Sequence, residues 1–415
     1  MVAGATAVRR GVAVLLVLAC LQCAALSAVA QDSVQVRQAR VAVMVPLSGD
    51  LGPMGQQLLE VAQLAAAEHD VEVVAIDEGQ GARDVVRSFE QIQADPGVVA
   101  VVGLLRPGHG PVAAREAGRI GVPTIIYSTR EEIDGMSPWA VRGRMSAAEQ
   151  TEQLAVYLGS QSDVRRVAVM APRTPRGDDL VATFLAAAGS QSLTVAAMSR
   201  YDEGTTDFGP ILDVLVGRRA SMGRGRSVGG RGTDRQGTMA VRPQGTVGFE
   251  ALAIFDYHDE VARILPFLPR AGIRTGATDE GASVRLLGLS NWRGDGLARA
   301  GDHGAGAVFF DTYAGAEDGS DGAAFAMRFV ASMGREATTA EAEFYDLVNW
   351  TARIASGAQG ERREVLRQLR GGSGYRGVTG HWAFDDRGSP VRQLRQYQVT
   401  PGGQWVRIDR GDDER

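Results

Sequence analysis

Apolar residues in this chain fall in short unbroken runs, separated by longer stretches in which they recur every three or four positions. Arg40 to Leu47 (RVAVMVPL) is one such run, and the turn Ser48-Gly49-Asp50-Leu51-Gly52-Pro53 leads from it into a helix-period stretch from Gly55 to Glu68. The pattern predicts further strands at Val71 to Ile76, Val98 to Gly103 and Pro123 to Ser128, with helices at Ala82 to Ala94 and Pro111 to Ile120 between them. Strands apolar on both faces, each followed by an amphipathic helix, predict a parallel sheet covered by helices on both sides.

A second series starts near Ser146 and repeats this architecture. Helices are predicted to Leu158, over Gly177 to Ala188, over Asp207 to Leu215 and over Asp259 to Leu268. Strands are predicted at Arg166 to Ala171, Thr194 to Tyr201, Ala251 to Phe255, Val284 to Leu289 and Ala305 to Phe310. Helices at Ala323 to Met333, Ala340 to Ser356 and Arg362 to Leu369 follow. The tail from Val378 to Ile408 reads as antiparallel strands, with turns at Asp386-Arg387-Gly388 and Pro401-Gly402-Gly403. The fold class is therefore α/β, with two Rossmann-like lobes. Between Gly217 and Gly248 the pattern lapses into a Gly and Arg-rich stretch with almost nothing apolar to bury, which predicts a flexible surface insertion. Seven arginines from Arg218 to Arg242 face the single acid Asp234 there, so the insertion is either a solvated loop or a contact for an anionic polymer such as wall glycan.

The amino terminus changes the picture of where the chain works. Arg9 and Arg10 precede an apolar segment from Gly11 to Leu26, and Ala28-Val29-Ala30 follows as a small-residue site. These are the parts of a secretory signal peptide, expected over residues 1–30, with no second long apolar run to form a transmembrane segment after its removal. Export to the periplasm follows; lipid anchoring at Cys20 is the alternative. Both cysteines, Cys20 and Cys23, lie inside the segment to be removed, so the mature chain would hold no disulfide. Loss of Arg9 and Arg10 leaves 42 basic against 49 acidic residues, moving the net charge from −5 to −7 and arguing against nucleic acid as a partner.

Signatures of catalysis are missing. His69, His109, His258, His303 and His381 are scattered, none of them in an H-E-x-x-H or C-x-x-C setting, no cysteine is expected in the mature chain, and no G-x-S-x-G elbow is present, so neither a metal, a cofactor nor an enzymatic step is expected. Gly372-Ser373-Gly374-Tyr375-Arg376-Gly377 matches G-x-G-x-x-G, but it follows a helix and precedes a strand, the reverse of the order that cradles phosphate. In open α/β sheets ligands bind where the strands end at their carboxyl side. Loops at those ends offer Ser48, Leu105, Arg106, Ser128, Thr129 and Arg130 in the first series, and Asp256, Tyr257, Asn291 and Trp292 in the second. They would supply polar contacts and an aromatic wall for a small polar ligand, although each taken singly is also what a cap or turn uses.

Three segments stand out together: VPLSGDLGPMGQQLLEVAQLAAAE, DPGVVAVVGLLRPGHGPVAAREAGRIGVPTIIYST, and AEFYDLVNWTARIA with GVTGHWAFDDRGSP. In these the chain, from Arg40 to about Ile408, resembles the type I periplasmic binding proteins typified by the leucine, isoleucine and valine receptors. The resemblance implies two lobes joined by three hinge crossings: residues 40–144 with 315–378, and residues 145–314 with 380–410, the insertion being 217–248. Crossings are expected near Val141 to Ser146, Asp311 to Ala316 and Val378 to His381. It further implies an amino-acid-like or wall-derived ligand, its carboxylate held by hydroxyls and amides matching Leu105 to Gly108 and Ser128 to Arg130, and delivery to a membrane permease or a sensor.

The sequence departs from that pattern at two points. Pro107 stands about where a hydroxyl residue is expected and lacks an amide hydrogen, and Ser290 and Asn291 stand near the place of the ammonium-binding acid. Arg106 or Arg130 would then hold the ligand anion, with Asp256 replacing the acid. AIFDYHDEVARILPFL and LLGLSNWRGDGLARAG are also similar to the penicillin-binding protein activators, which would imply docking on a peptidoglycan synthase instead.

Overall fold

The computed structural model describes residues 39–218, 247–275, 283–313, 315, 319–358 and 360–408. The expected signal peptide, and the Gly and Arg-rich stretch except for its ends, lie outside them. The first series forms β1 (Arg40–Val45), α1 (Gly52–Ala66), β2 (Glu72–Asp77), α2 (Ala82–Ala94), β3 (Val98–Gly103), α3 (Gly110–Ile120), β4 (Thr124–Ile126) and β5 (Ala140–Arg142). Its sheet runs β2-β1-β3-β4-β5 with every pair parallel. The unbroken apolar character of β1 has a direct cause: Val41, Val43 and Val45 enter a core on one side of the sheet, while Ala42 and Met44 enter a second core with Val85, Phe89 and Ala113.

The second series forms α4 (Ala147–Ser160), β6 (Arg166–Pro172), α5 (Pro175–Ser190), β7 (Thr194–Tyr201), α6 (Gly209–Leu215), β8 (Ala251–Ile254), α7 (His258–Ile264), β9 (Arg285–Gly288), α8 (Asp295–Arg299) and β10 (Val308–Asp311). Helix α4 starts on a capping box: Ser146 Oγ accepts from the Glu149 amide at 3.1 Å, and the Glu149 carboxylate accepts from the Ser146 amide at 2.7 Å. The chain then returns through α9 (Gly319–Met333), α10 (Thr339–Gly357) and α11 (Arg362–Gly371). Phe325, Phe344, Trp350 and Val365 from these helices enter the same core as Val41.

Strands β11 (Tyr375–Gly377), β12 (Gly380–Phe384) and β13 (Pro390–Val391) make a small antiparallel sheet, and β14 (Arg395–Val399) and β15 (Trp405–Arg407) join the second lobe. The order there is β15-β14-β10-β9-β8-β6-β7, with β14 and β15 antiparallel as the tail pattern indicates. The chain does not change lobes at Val378 to His381. Trp382 and Phe384 are buried in the first lobe's core, where the rings of Phe384 and Trp350 stack at 5.5 Å. The passage comes after β13, since Leu394 is the first residue to enter the second lobe's core. Two large aromatic side chains hold β12 to the first lobe. The resulting architecture is a two-lobed α/β fold. No helix among the described residues is long and apolar enough to cross a membrane.

Candidate functional site

The loops at the carboxyl ends of the first lobe's strands converge on two acids, Asp77 at the end of β2 and Glu78 just after it. Asp77 accepts from the Leu47 amide at 3.0 Å and from Ser48 Oγ at 2.8 Å, so Ser48 is tied to the sheet end rather than free. After β3 the chain turns sharply: a side chain on Gly103 (φ 139°) would lie 2.0 Å from the Met44 carbonyl, and Leu104 adopts φ 68°. This turn aims the amides of Leu105 and Arg106 at the buried Glu78 carboxylate, at 2.7 and 3.1 Å. Burial pushes the Glu78 carboxyl up to about 7, against the opposing pull of these amides and of Arg106.

These contacts correct the expectation for Leu105 and Arg106. Their amides already hold an internal carboxylate, and the Arg106 guanidinium reaches Asp50 at 2.7 Å and lies 3.7 Å from Glu78. The Arg130 guanidinium is likewise paired, with Glu132 at 2.9 Å. Ser128 is buried and its hydroxyl accepts from the Arg130 amide at 3.2 Å, while Thr129 is exposed. Sequence reading overlooked Glu78 as the acceptor because its amide donors lie 27 and 28 residues away, beyond any local motif.

In the second lobe, a cavity of about 530 Å³ opens at the ends of β6, β7 and β8. Asp256 and Tyr257 both line it, together with Thr174, Arg176, Tyr201, Glu203 and Glu260. Asp256 accepts from the Tyr201 hydroxyl and from the Tyr257 amide, both at 2.7 Å. Tyr257 is 52% exposed, and the Arg176 guanidinium lies 5.3 Å from its ring centroid. Of its three acids Glu260 is paired with Arg263 at 2.6 Å, which leaves Glu203 and Asp256 against Arg176. Thr174, Arg176 and Glu203 were missed because the loops after β6 and β7 carry no motif; their place at strand ends was the one signal that could have found them.

Trp292 is not part of that wall. It is fully buried, its Nε1 donates to the Ile254 carbonyl at 3.0 Å, and its ring covers Gly288, where a side chain would come within 2.0 Å. Asn291 sits in the same short 3-10 turn and is partly exposed.

Where the lobes join, the charges are dense. Fully buried Arg142 pairs with Asp134 at 2.8 Å on its first-lobe side and with Glu149 of α4 at 2.6 Å. Glu343 of α10 accepts from Arg392 at 2.8 Å and from Thr312 Oγ1 at 2.9 Å, with Arg144 Nε at 3.4 Å. Asp311 ends β10 and accepts from Thr339 Oγ1 at 2.7 Å; burial pushes its carboxyl up to about 7 despite the nearby Arg293. Asp346, also buried, accepts from the amides of Val378 and Thr379 at 2.9 and 2.8 Å. No cluster of metal-ligating side chains occurs among the described residues.

The sequence matches the family described as "Periplasmic binding protein" over residues 38–404. No curated protein matches it. Among solved structures, a Rhodospirillum rubrum protein assigned to branched-chain amino acid ABC transport superposes with a TM-score of 0.72 at 18% identity, covering 89% of this chain and 100% of that one. The branched-chain amino acid substrate-binding protein LivJ of Streptococcus pneumoniae, in complex with isoleucine, gives 0.58 at 19% identity, covering 89% and 99%. A solute-binding protein of an R. palustris ABC transporter, in complex with benzoate, gives 0.58 at 14% identity, covering 89% and 95%. At these identities the likeness establishes the fold.

Proposed function

We propose, from the premise that this chain belongs to the periplasmic binding protein family, that it is a non-catalytic receptor holding a small polar ligand between its lobes for ABC-type uptake or sensing. The family implies a periplasmic location and solute binding. The observation that carries the reading to this chain is the cavity at the ends of β6, β7 and β8, where exposed Tyr257 and the acids Glu203, Asp256 and Glu260 face open space. An aromatic face beside a few fixed polar groups is the usual composition of a small-molecule site. Export through a cleaved signal peptide and delivery to a membrane permease belong to the same proposal. So does the ligand class, amino-acid-like, aromatic-acid or wall-derived, since solved relatives hold isoleucine and benzoate.

Ligand present at 100 times its dissociation constant adds about 2.7 kcal/mol to folding stability. A thermal-shift screen over amino acids, aromatic acids and wall fragments is therefore the direct test, and a panel without any shift counts against the receptor. A second reading, docking on a peptidoglycan synthase as the penicillin-binding protein activators do, draws support from Glu78, which occupies the amides of Leu105 and Arg106. Co-purification of a synthase with a chain that binds none of the panel would favour it.

A further inference from the structure

We infer that Arg144, on the first passage between the lobes, is the residue that holds a carboxylate group of the ligand. This rests on the receptor reading above and names the chemistry its ligand must carry. Arg144 follows β5 by two residues, and the Gly143 amide donates to the Ile126 carbonyl at 2.7 Å, which sets Arg144 beside the carboxyl end of β4. Its guanidinium lies over the Tyr127 ring, 5.1 Å from the centroid, so a fixed aromatic surface orients its plane. Tyr127 is itself anchored, its hydroxyl donating to the Ala340 carbonyl at 2.7 Å.

Arg144 differs from its neighbours in how little it is bound. Arg142, Arg106 and Arg130 are each committed to carboxylates at 2.6 to 2.9 Å. Arg144 approaches Glu343 only at 3.4 Å through Nε, which forms no hydrogen bond. Glu343 already serves Arg392 and Thr312. The Arg144 side chain is 37% exposed although its Nε is buried, so the open part lies elsewhere on the side chain. A guanidinium offers five donors in a planar fork, and two parallel bonds to a carboxylate are the arrangement that fork fits best.

Glu343 is the one carboxylate within 4 Å of the Arg144 guanidinium among the described residues, and a ligand carboxylate at the open part of that guanidinium would add a partner without displacing one. Glu78 fills the amides of Leu105 and Arg106, two of the loop donors expected to receive the anion, and Arg144 stands beside the same sheet with part of its side chain open.

The test is isothermal titration of the full chain with matched acids and amides: benzoate with benzamide, and isoleucine with isoleucinamide. At least one acid is expected to bind ten times or more tightly than its amide. R144Q should weaken that acid at least tenfold and leave the amide within threefold, and R144K should restore part of the loss. An amide that binds as well as its acid, or an acid whose affinity survives R144Q, overturns the role of Arg144 while the receptor reading stands. No heat from either pair, together with no thermal shift across the wider panel, overturns both. The acid and amide comparison uses the unmodified chain, so it decides the matter even if R144Q does not fold.

Discussion

Replacing Glu78 by Gln isolates the energetic consequence of burying a carboxyl group among loop amides. Folding carries this group from an ordinary value of 4.5 up to about 7, and each tenfold in acidity is worth about 1.36 kcal/mol, so the ionised folded form is penalised by about 3 kcal/mol. For an acid whose folded value is raised, stability is fully present below pH 4.5 and lost as pH climbs through 7. The Gln variant carries no such titration. It has a fixed penalty instead, because Leu105 and Arg106 donate to different oxygens of Glu78 and Gln puts an NH2 group in place of one of them, and a buried N–H left facing that group costs about 1–3 kcal/mol. The variant should thus be the less stable protein at pH 5, and the gap should close or reverse by pH 8. Urea denaturation of both proteins at half-unit steps measures this directly. Asp311 also titrates near 7, but it is present in both proteins and cancels in the difference. Parallel stability curves from pH 5 to 8 would refute the reasoning and show that the two amides and Arg106 hold Glu78 ionised at ordinary acidity.

Trp292→Ala should cost about 3–5 kcal/mol of stability in urea melts, because a fully buried indole and its bond to Ile254 are lost together; a cost below 1 kcal/mol would return this ring to the surface. Tyr257→Ala, at an exposed position, should change stability by no more than about 0.5 kcal/mol while abolishing the thermal shift of any ligand found in the screen. Ser146→Ala removes the cap of α4 and should cost about 1 kcal/mol, read as a lower urea midpoint with an unchanged slope.

The fold was legible because its energetics are local in sequence. A strand covered on both faces must be apolar at every position, as in Val98 to Gly103, and that run coincides with β3. The helices from Ala82 and Arg362 follow from their periodicity in the same way. The lobe to which β12 belongs was not legible. Alternation marks Gly380 to Phe384 as a strand, but nothing in it says that Trp382 and Phe384 will meet Trp350 and not the second lobe. Trp292 was misplaced for a related reason: an aromatic residue in a polar turn reads as exposed. The clue was Gly288, four residues earlier, whose missing side chain makes room for the ring.

The candidate site was legible by position and illegible by pairing. Strand ends located Arg106, Arg130, Asp256 and Tyr257, but the pairing of Arg106 depends on Asp50 and Glu78, acids that the fold alone brings close, while Arg130 pairs with its near neighbour Glu132. Once those pairs are drawn, the two halves of the proposed cleft present different groups. The second lobe's cavity has Glu203, Asp256 and Glu260 against Arg176, while at the joint between the lobes Arg144 meets its carboxylate only at 3.4 Å. A ligand satisfying both carries a carboxylate at one end and hydrogen-bond donors or a cation at the other, and spans the lobes in one orientation only. Such a ligand links the lobes through its two ends, with Arg144 on one side and the acids of the cavity on the other. Differential stabilisation of the ligand-bound arrangement is the condition under which binding can shift a two-lobed protein between conformations at all. A neutral ligand of the same size and shape lacks that leverage, so it should bind weakly and leave the thermal midpoint where it was.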